Sequence, residues 1–211
     1  MLVKLGYKEI EVSFPSASQT DFDFTQKLVQ TPGVVPEDVW LQVLSPCRKE
    51  LIRKTVDSLK GAKKALLHLY LATSPCFQQI VFNMDNAESK ALAVECTRYA
   101  RSITKDDPSQ AGTEWAYEFS PETFSASNPD FVLEVCESVK AAWEPSVENP
   151  IIFNLQPRSK SLHLICTLIR LNISAEIFQS ETKYVSLYIL TMIEVVRSLR
   201  QSWHRWLVQT G

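Results

Sequence analysis

A chain of 211 residues, 45% hydrophobic and 22% charged, can bury the core of one domain and is too apolar to be disordered. Lys plus Arg number 22 against 24 for Asp plus Glu, a net charge of −2, which argues against the basic excess of a non-specific nucleic-acid binder. No apolar run reaches the roughly 18 residues of a membrane span. The opening MLVKLGYKEIEV has neither a signal-peptide core nor an Arg-rich transit segment, and it reads like the inside of a domain.

Residues 1–155 alternate short apolar runs with helical patterns. The first predicted strand covers 8–14 (KEIEVSF), followed by a helical pattern over 22–29. A second strand over 39–44 (VWLQVL) precedes a helix over 48–59, where Leu51, Ile52, Val56 and Leu59 recur at helical spacing. A third strand at 65–71 (ALLHLYL) is followed by a helix over 88–103. A fourth at 115–119 (WAYEF) is followed by a helix over 130–143, with Phe131, Val132, Val135, Val139 and Trp143 on one face. A fifth strand covers 151–155 (IIFNL). Strand–helix–strand alternation implies an α/β fold with parallel strands and right-handed crossovers, which suits either a doubly wound sheet or a (β/α)8 barrel. No GxGxxG follows the first strand, so a dinucleotide fold lacks its best support. The predicted strand ends are polar: Phe14-Pro15-Ser16, Leu44-Ser45-Pro46, Ala72-Thr73-Ser74 and Ser120-Pro121-Glu122.

Several residues stand out within this frame. Glu122, just past the fourth strand, is either an acid or base of a site or a helix-start carboxylate that complements the dipole. His68 shares a strand face with Leu66 and Tyr70, either as a ligand contact or as a hydrogen-bonded core histidine. Glu9 and Glu11 share a face of the first strand; one of them pairs with a cation inside the fold, or both meet solvent. Arg48 is either a carboxylate binder or a solvated first-turn residue. His163 and His204 are isolated, so local spacing builds no metal site. Cys47, Cys76, Cys96, Cys136 and Cys166 are unclustered and odd in number, which reads as reduced intracellular thiols. There is no HExxH, P-loop or GxSxG.

The segments LGYKEIEVSFPSASQTDFDF, DVWLQVLSPCR, GAKKALLHLYLATS, GTEWAYEFSPETFS and ENPIIFNL closely resemble the 2-isopropylmalate synthase family over about residues 3–155. The resemblance implies a partial (β/α)8 TIM barrel over 1–155, of the pyruvate-carboxyltransferase-like kind. It implies an acyltransferase of leucine biosynthesis that condenses acetyl-CoA with 2-oxoisovalerate and hydrolyses the thioester. It also implies a divalent metal (Mg, Mn or Zn), a homodimer, and a cytoplasmic or mitochondrial location, with no nucleic-acid or membrane partner. By position, Leu44, His68, Tyr70, Ser120 and Glu122 match the family's pocket residues. Leu44 would line the branched-chain pocket, His68 and Ser120 would hold the oxo acid, and Glu122 would sit beside the metal and the reacting carbonyl. Within the superfamily the runner-up is a homocitrate or citramalate synthase. From another class, it is a non-catalytic fragment that binds a full-length subunit.

The departures matter as much. The family's Arg-Asp-Gly-x-Gln motif, whose Asp is a metal ligand, and its His-x-His pair are absent, so no metal residue is assigned to this chain, about five of eight strands are expected, and activity is expected to be lost. After IIFNL the family continues Pro-Ala-Thr, whereas this chain has Gln156-Pro157-Arg158. Codons read one base earlier permit Pro-Ala-Thr there, and over 187–196 they permit Leu-His-Pro-His-Asn-Asp-Arg-Gly-Cys. Residues 156–211 therefore read as a frame-shifted translation of missing barrel strands, and the segment between Arg158 and Thr210 holds no Gly, Pro or Asp. Such a tail is expected to be helical or poorly packed and to lack a ligand-bearing strand, and a well-packed strand at 184–190 continuing the parallel sheet would contradict the shift.

Overall fold

The computed structural model describes residues 1–155 and 185–188. Six strands form one sheet: β1 Glu9–Ser13, β2 Trp40–Pro46, β3 Lys64–Ala72, β4 Glu114–Glu122, β5 Ile151–Asn154 and β6 Val185–Tyr188. Their spatial order is β1-β2-β3-β4-β5-β6, and every neighbouring pair is parallel. A doubly wound sheet reverses strand order at a switch point, and this one does not, so the two topologies left open by the sequence resolve to a barrel wall. The five strands expected in 1–155 are all present. Two run longer than their apolar cores suggest: β2 continues through Pro46 and β4 through Glu122, which makes Ser120 and Glu122 strand residues.

Period-two alternation divides the sheet into two faces. Leu41, Val43, Leu67, Leu69, Tyr117, Phe119, Ile151 and Phe153 point into the main core. There they meet Ile52 and Val56 of α2 (Lys49–Ser58), Ala93, Cys96 and Ala100 of α4 (Asn86–Ser102), and Val132, Val135 and Val139 of α5 (Pro129–Trp143). On the opposite face Leu66, Ala116 and Ile152 form a small cluster with Trp40 packed against it. The next residues along that inner face are polar, namely Gln42, His68 and Glu118, and His68 and Glu118 are register partners across β3 and β4. One face is thus a helix-covered hydrocarbon core, and the other changes from apolar to polar toward the C-terminal strand ends.

Local signals fix the helix ends. Ser18 Oγ accepts the Asp21 amide at 3.1 Å to start α1 (Gln19–Gln30). Asp85 and Glu88 form a reciprocal capping box on α4, at 2.8 and 2.9 Å. Asn128 caps α5, with Pro129 as its first residue. Trp143, at the end of α5, is fully buried, stacks on Tyr117 with centroids 4.7 Å apart, and donates its indole N–H to the Asn149 carbonyl at 3.1 Å. Tyr117 in turn shares a 2.9 Å hydrogen bond with Thr97 of α4, so a ring stack on one side and a hydrogen bond on the other tie β4 to α5 and α4. A short helix α3, Pro75–Phe77, continues into a π-turn over Gln78–Phe82 beyond β3. The four described cysteines are free, and among the described residues no helix is long and apolar enough to cross a membrane.

The expectation of a helical or poorly packed tail is corrected at Val185–Tyr188, which pairs in parallel with β5 from Ile151↔Val185 to Asn154↔Tyr188. A β5 edge with unpaired amides and carbonyls recruits a segment that carries a β-branched and an aromatic residue. The rest of 156–211, with His163, His204 and Cys166, lies outside the described residues.

Candidate active site

Four neighbouring strands each turn polar on their inner face, and the side chains converge. β1 supplies Glu11, β2 Gln42 and Leu44, β3 His68 and Tyr70, and β4 Glu118, Ser120 and Glu122. Asn154 comes from β5. The five residues matched by sequence, Leu44, His68, Tyr70, Ser120 and Glu122, line one cavity of about 420 Å³ together with Glu11, Asn154 and Phe77 of α3. The cavity opens at the C-terminal ends of the strands, where barrel sites are built. His68 and Glu122 thus share one mouth of the curved sheet.

His68 is buried and is the centre of the polar network. Its Nδ1 lies 2.8 Å from Glu11 Oε2, and its Nε2 lies 2.7 Å from Ser120 Oγ and 3.4 Å from Glu118 Oε1. Gln42 Nε2 bridges Glu11 Oε2 at 2.9 Å and Glu118 Oε2 at 3.1 Å. Asn154 Nδ2 donates to Glu118 Oε1 at 2.8 Å, and its buried Oδ1 has no hydrogen-bond partner among the described residues. The two carboxyls respond oppositely. The hydrogen bond from His68 is the main cause that holds Glu11 below the usual carboxylate value, with the imidazole's charge and Gln42 assisting against partial burial. Burial is the main cause that raises Glu118, against the pull of His68 and Asn154. Of the alternatives for Glu9 and Glu11, Glu11 turns inward to His68. Glu9 does not line the cavity.

Tyr70 is half-buried and meets Phe14 edge-on, with ring centroids 6.5 Å apart. Burial raises its phenol first, and the Glu122 charge adds to the rise. Glu122 is the exposed last residue of β4, and its carbonyl accepts the Thr73 amide at 3.0 Å and the Thr73 hydroxyl at 3.1 Å. The next residue, Thr123, takes a left-handed φ of 58°, costly for a β-branched side chain. Its Oγ1 accepts the Ser74 amide at 3.1 Å, so the ends of β3 and β4 are tied across the mouth. Only a single 3-10 turn, Phe124–Ala126, follows, so Glu122 does not sit on the first turn of an α-helix. Arg48 precedes α2 and borders a second cavity that shares Tyr70 and Glu122 but not His68.

Sequence reasoning missed Glu118, Gln42 and Asn154. The signal was present: Glu118 is a carboxylate inside the apolar strand EWAYEF, two and four residues before Ser120 and Glu122.

A sequentially ordered parallel βα wall with a polar cavity at its C-terminal strand ends defines a (β/α)8-type barrel domain, of which the described residues form part. The HMGL-like family model matches residues 1–158, and the chain belongs to that family. It is 59% identical over 154 residues to a 2-isopropylmalate synthase of Saccharomyces cerevisiae, covering 73% of this chain and 24% of that protein. A second from that yeast, 2-isopropylmalate synthase 2, mitochondrial, is 58% identical over 154 residues, covering 73% of this chain and 25% of the relative. The 2-isopropylmalate synthase of Schizosaccharomyces pombe is 50% identical over 155 residues, covering 74% of this chain and 26% of the relative. The chain thus spans about a quarter of the length of these relatives, between 24% and 26%.

Proposed function

We propose that this chain carries the 2-oxo-acid half of a 2-isopropylmalate synthase site. That enzyme condenses acetyl-CoA with 2-oxoisovalerate and then hydrolyses the thioester. The supporting observation is the convergence of Leu44, His68, Tyr70, Ser120 and Glu122 on one cavity. Leu44 and Tyr70 line the side that takes the branched alkyl group, and His68 with Ser120 holds the polar end of the acid. Glu122, exposed at the rim, lies where a carboxylate can exchange a proton with the reacting groups. The relatives' names favour this reading over a homocitrate or citramalate synthase.

The resemblance also implies a divalent metal, Mg, Mn or Zn. Among the described residues no three His, Cys, Asp or Glu side chains converge as a ligand set. These residues do not fit the metal by themselves, so the roles assigned to them are binding and orientation. In the intact enzyme the cofactor, acetyl-CoA and a second subunit of a homodimer complete the reaction, in a cytoplasmic or mitochondrial setting. The test has two arms. Purified chain should bind 2-oxoisovalerate more tightly than pyruvate or 2-oxoglutarate in a titration. It should release no CoA above the no-protein control with acetyl-CoA and added Mg²⁺, Mn²⁺ or Zn²⁺. Equal or absent binding of all three acids refutes the site, and turnover lost in Glu122→Ala refutes the inactivity.

We further propose that residues 1–155 are the homologous barrel segment and 156–211 a frame-shifted translation. The family match ends at residue 158, in support. The strand at Val185–Tyr188, which continues the parallel sheet from β5, counts against this reading. Sequencing the genomic DNA across codon 155 decides it: an uninterrupted reading frame that encodes the present tail refutes the shift. A second reading, a non-catalytic fragment that docks on a full-length subunit, is favoured by the exposed apolar Leu2, Leu5 and Phe24 near the outermost strand β1. Size-exclusion chromatography with the full-length enzyme tests it.

A further inference from the structure

We propose that Glu11 is a positioning residue that fixes the tautomer of His68 and thereby lets one proton set the polarity that Ser120 presents to the cavity. The geometry leaves little freedom. An ionised carboxylate only accepts hydrogen bonds. Glu11 Oε2 lies 2.8 Å from His68 Nδ1, so Nδ1 carries the hydrogen. Gln42 cannot take that hydrogen with its amide nitrogen, which lies 3.2 Å from Nδ1; its own two hydrogens go to Glu11 and Glu118, at 2.9 and 3.1 Å. With Nδ1 protonated, a neutral His68 has its lone pair on Nε2, and that lone pair accepts the Ser120 hydroxyl hydrogen at 2.7 Å. Ser120 then offers the cavity only oxygen lone pairs, which repel an anion.

A second proton, taken from solvent onto Nε2, inverts this arrangement. Nε2–H donates to Ser120 Oγ, and the freed hydroxyl hydrogen turns toward the cavity and donates to a carboxylate there. Glu118 Oε1, 3.4 Å from Nε2, lies close enough to offset the imidazolium charge. The ionisable and polar groups around His68 are Glu9 and Glu11 from β1, Gln42 from β2, Tyr70 from β3, Glu118, Ser120 and Glu122 from β4, and Asn154 from β5. Binding of an anionic acid is therefore coupled to uptake of one proton. This coupling rests on the oxo-acid reading above, whereas the tautomer assignment does not.

The test is nitrogen-15 NMR of the full chain labelled at histidine, with the His68 signals assigned by their loss in His68→Gln. In the free chain at about pH 8, His68 should carry its hydrogen on Nδ1 with a bare Nε2. In Glu11→Gln that hydrogen should move at least in part to Nε2, and in the wild-type chain saturating 2-oxoisovalerate should add a hydrogen to Nε2. A hydrogen on Nε2 in the free chain overturns the assignment of Glu11 without any variant. So does an unchanged tautomer in a natively folded Glu11→Gln. If the tautomer is as stated but 2-oxoisovalerate leaves His68 unperturbed, the oxo-acid reading and its proton coupling fall while the positioning role stands.

Discussion

Replacing Glu118 by glutamine tests whether a carboxyl is held in the buried network for its geometry or for its charge. Glu118 is 5% exposed, accepts from Asn154 Nδ2 through one oxygen, and accepts from Gln42 Nε2 through the other. Glutamine can keep the Asn154 contact but then points an amide N–H₂ at the Gln42 amide. The Gln42 donor retains Glu11 as acceptor, so the new orphan is the introduced amide, at a cost of about 1–3 kcal/mol. The sign with pH follows from the raised carboxyl. The folded state holds its proton above the ordinary carboxylate range, so wild-type stability is fullest below that range and falls as pH rises toward the folded value. Glutamine does not titrate, so the variant escapes that loss. The deficit of Glu118→Gln should therefore be largest near pH 4 and shrink on the way to neutrality, by about 1.4 kcal/mol for each pH unit by which the group is raised. Urea unfolding of both chains at several pH values reads this directly. A deficit that is constant, or that grows with pH, refutes the reasoning about burial.

Other outcomes follow from the same packing. Trp143→Ala removes a fully buried indole and its stack on Tyr117 and should cost about 3–5 kcal/mol in urea unfolding, with Trp143→Phe far milder. Asp85→Ala breaks the α4 capping box and should cost about 1 kcal/mol, measured as a thermal shift. Leu44→Ala widens the cavity wall and should weaken 2-oxoisovalerate binding about tenfold or more while changing pyruvate binding little, by calorimetric titration.

The sequence made the βα alternation legible because each strand core is a compact apolar run and each long helix has a periodic face. It left the choice between a doubly wound sheet and a barrel open, since strand order is a property of pairing and not of any one segment. The five matched pocket residues were legible through resemblance, and the cavity brings them together. Glu118 was missed because an acidic residue in an apolar strand reads equally as an outward, solvated one until the register with His68 is known. Gln42 and Asn154 were missed for a related reason: neither amide has chemistry of its own, and each matters here by holding a neighbour. The strand at Val185–Tyr188 was missed because breaker-poor sequence favours helix locally, whereas an open β5 edge selects strand.

The strand order β1 to β6 has a consequence for how the domain assembles on the ribosome. Every strand docks on the one emitted just before it, so no early strand has to wait, unpaired, for a partner from the far end of the chain. The order of synthesis is also the order of assembly, and through β5 each closure spans a single crossover, the longest being the α3–α4 segment between β3 and β4. A wall of this kind can grow outward from its first pairs as translation proceeds. An error in the message therefore leaves the strands already laid down correctly paired and changes only what is added after it.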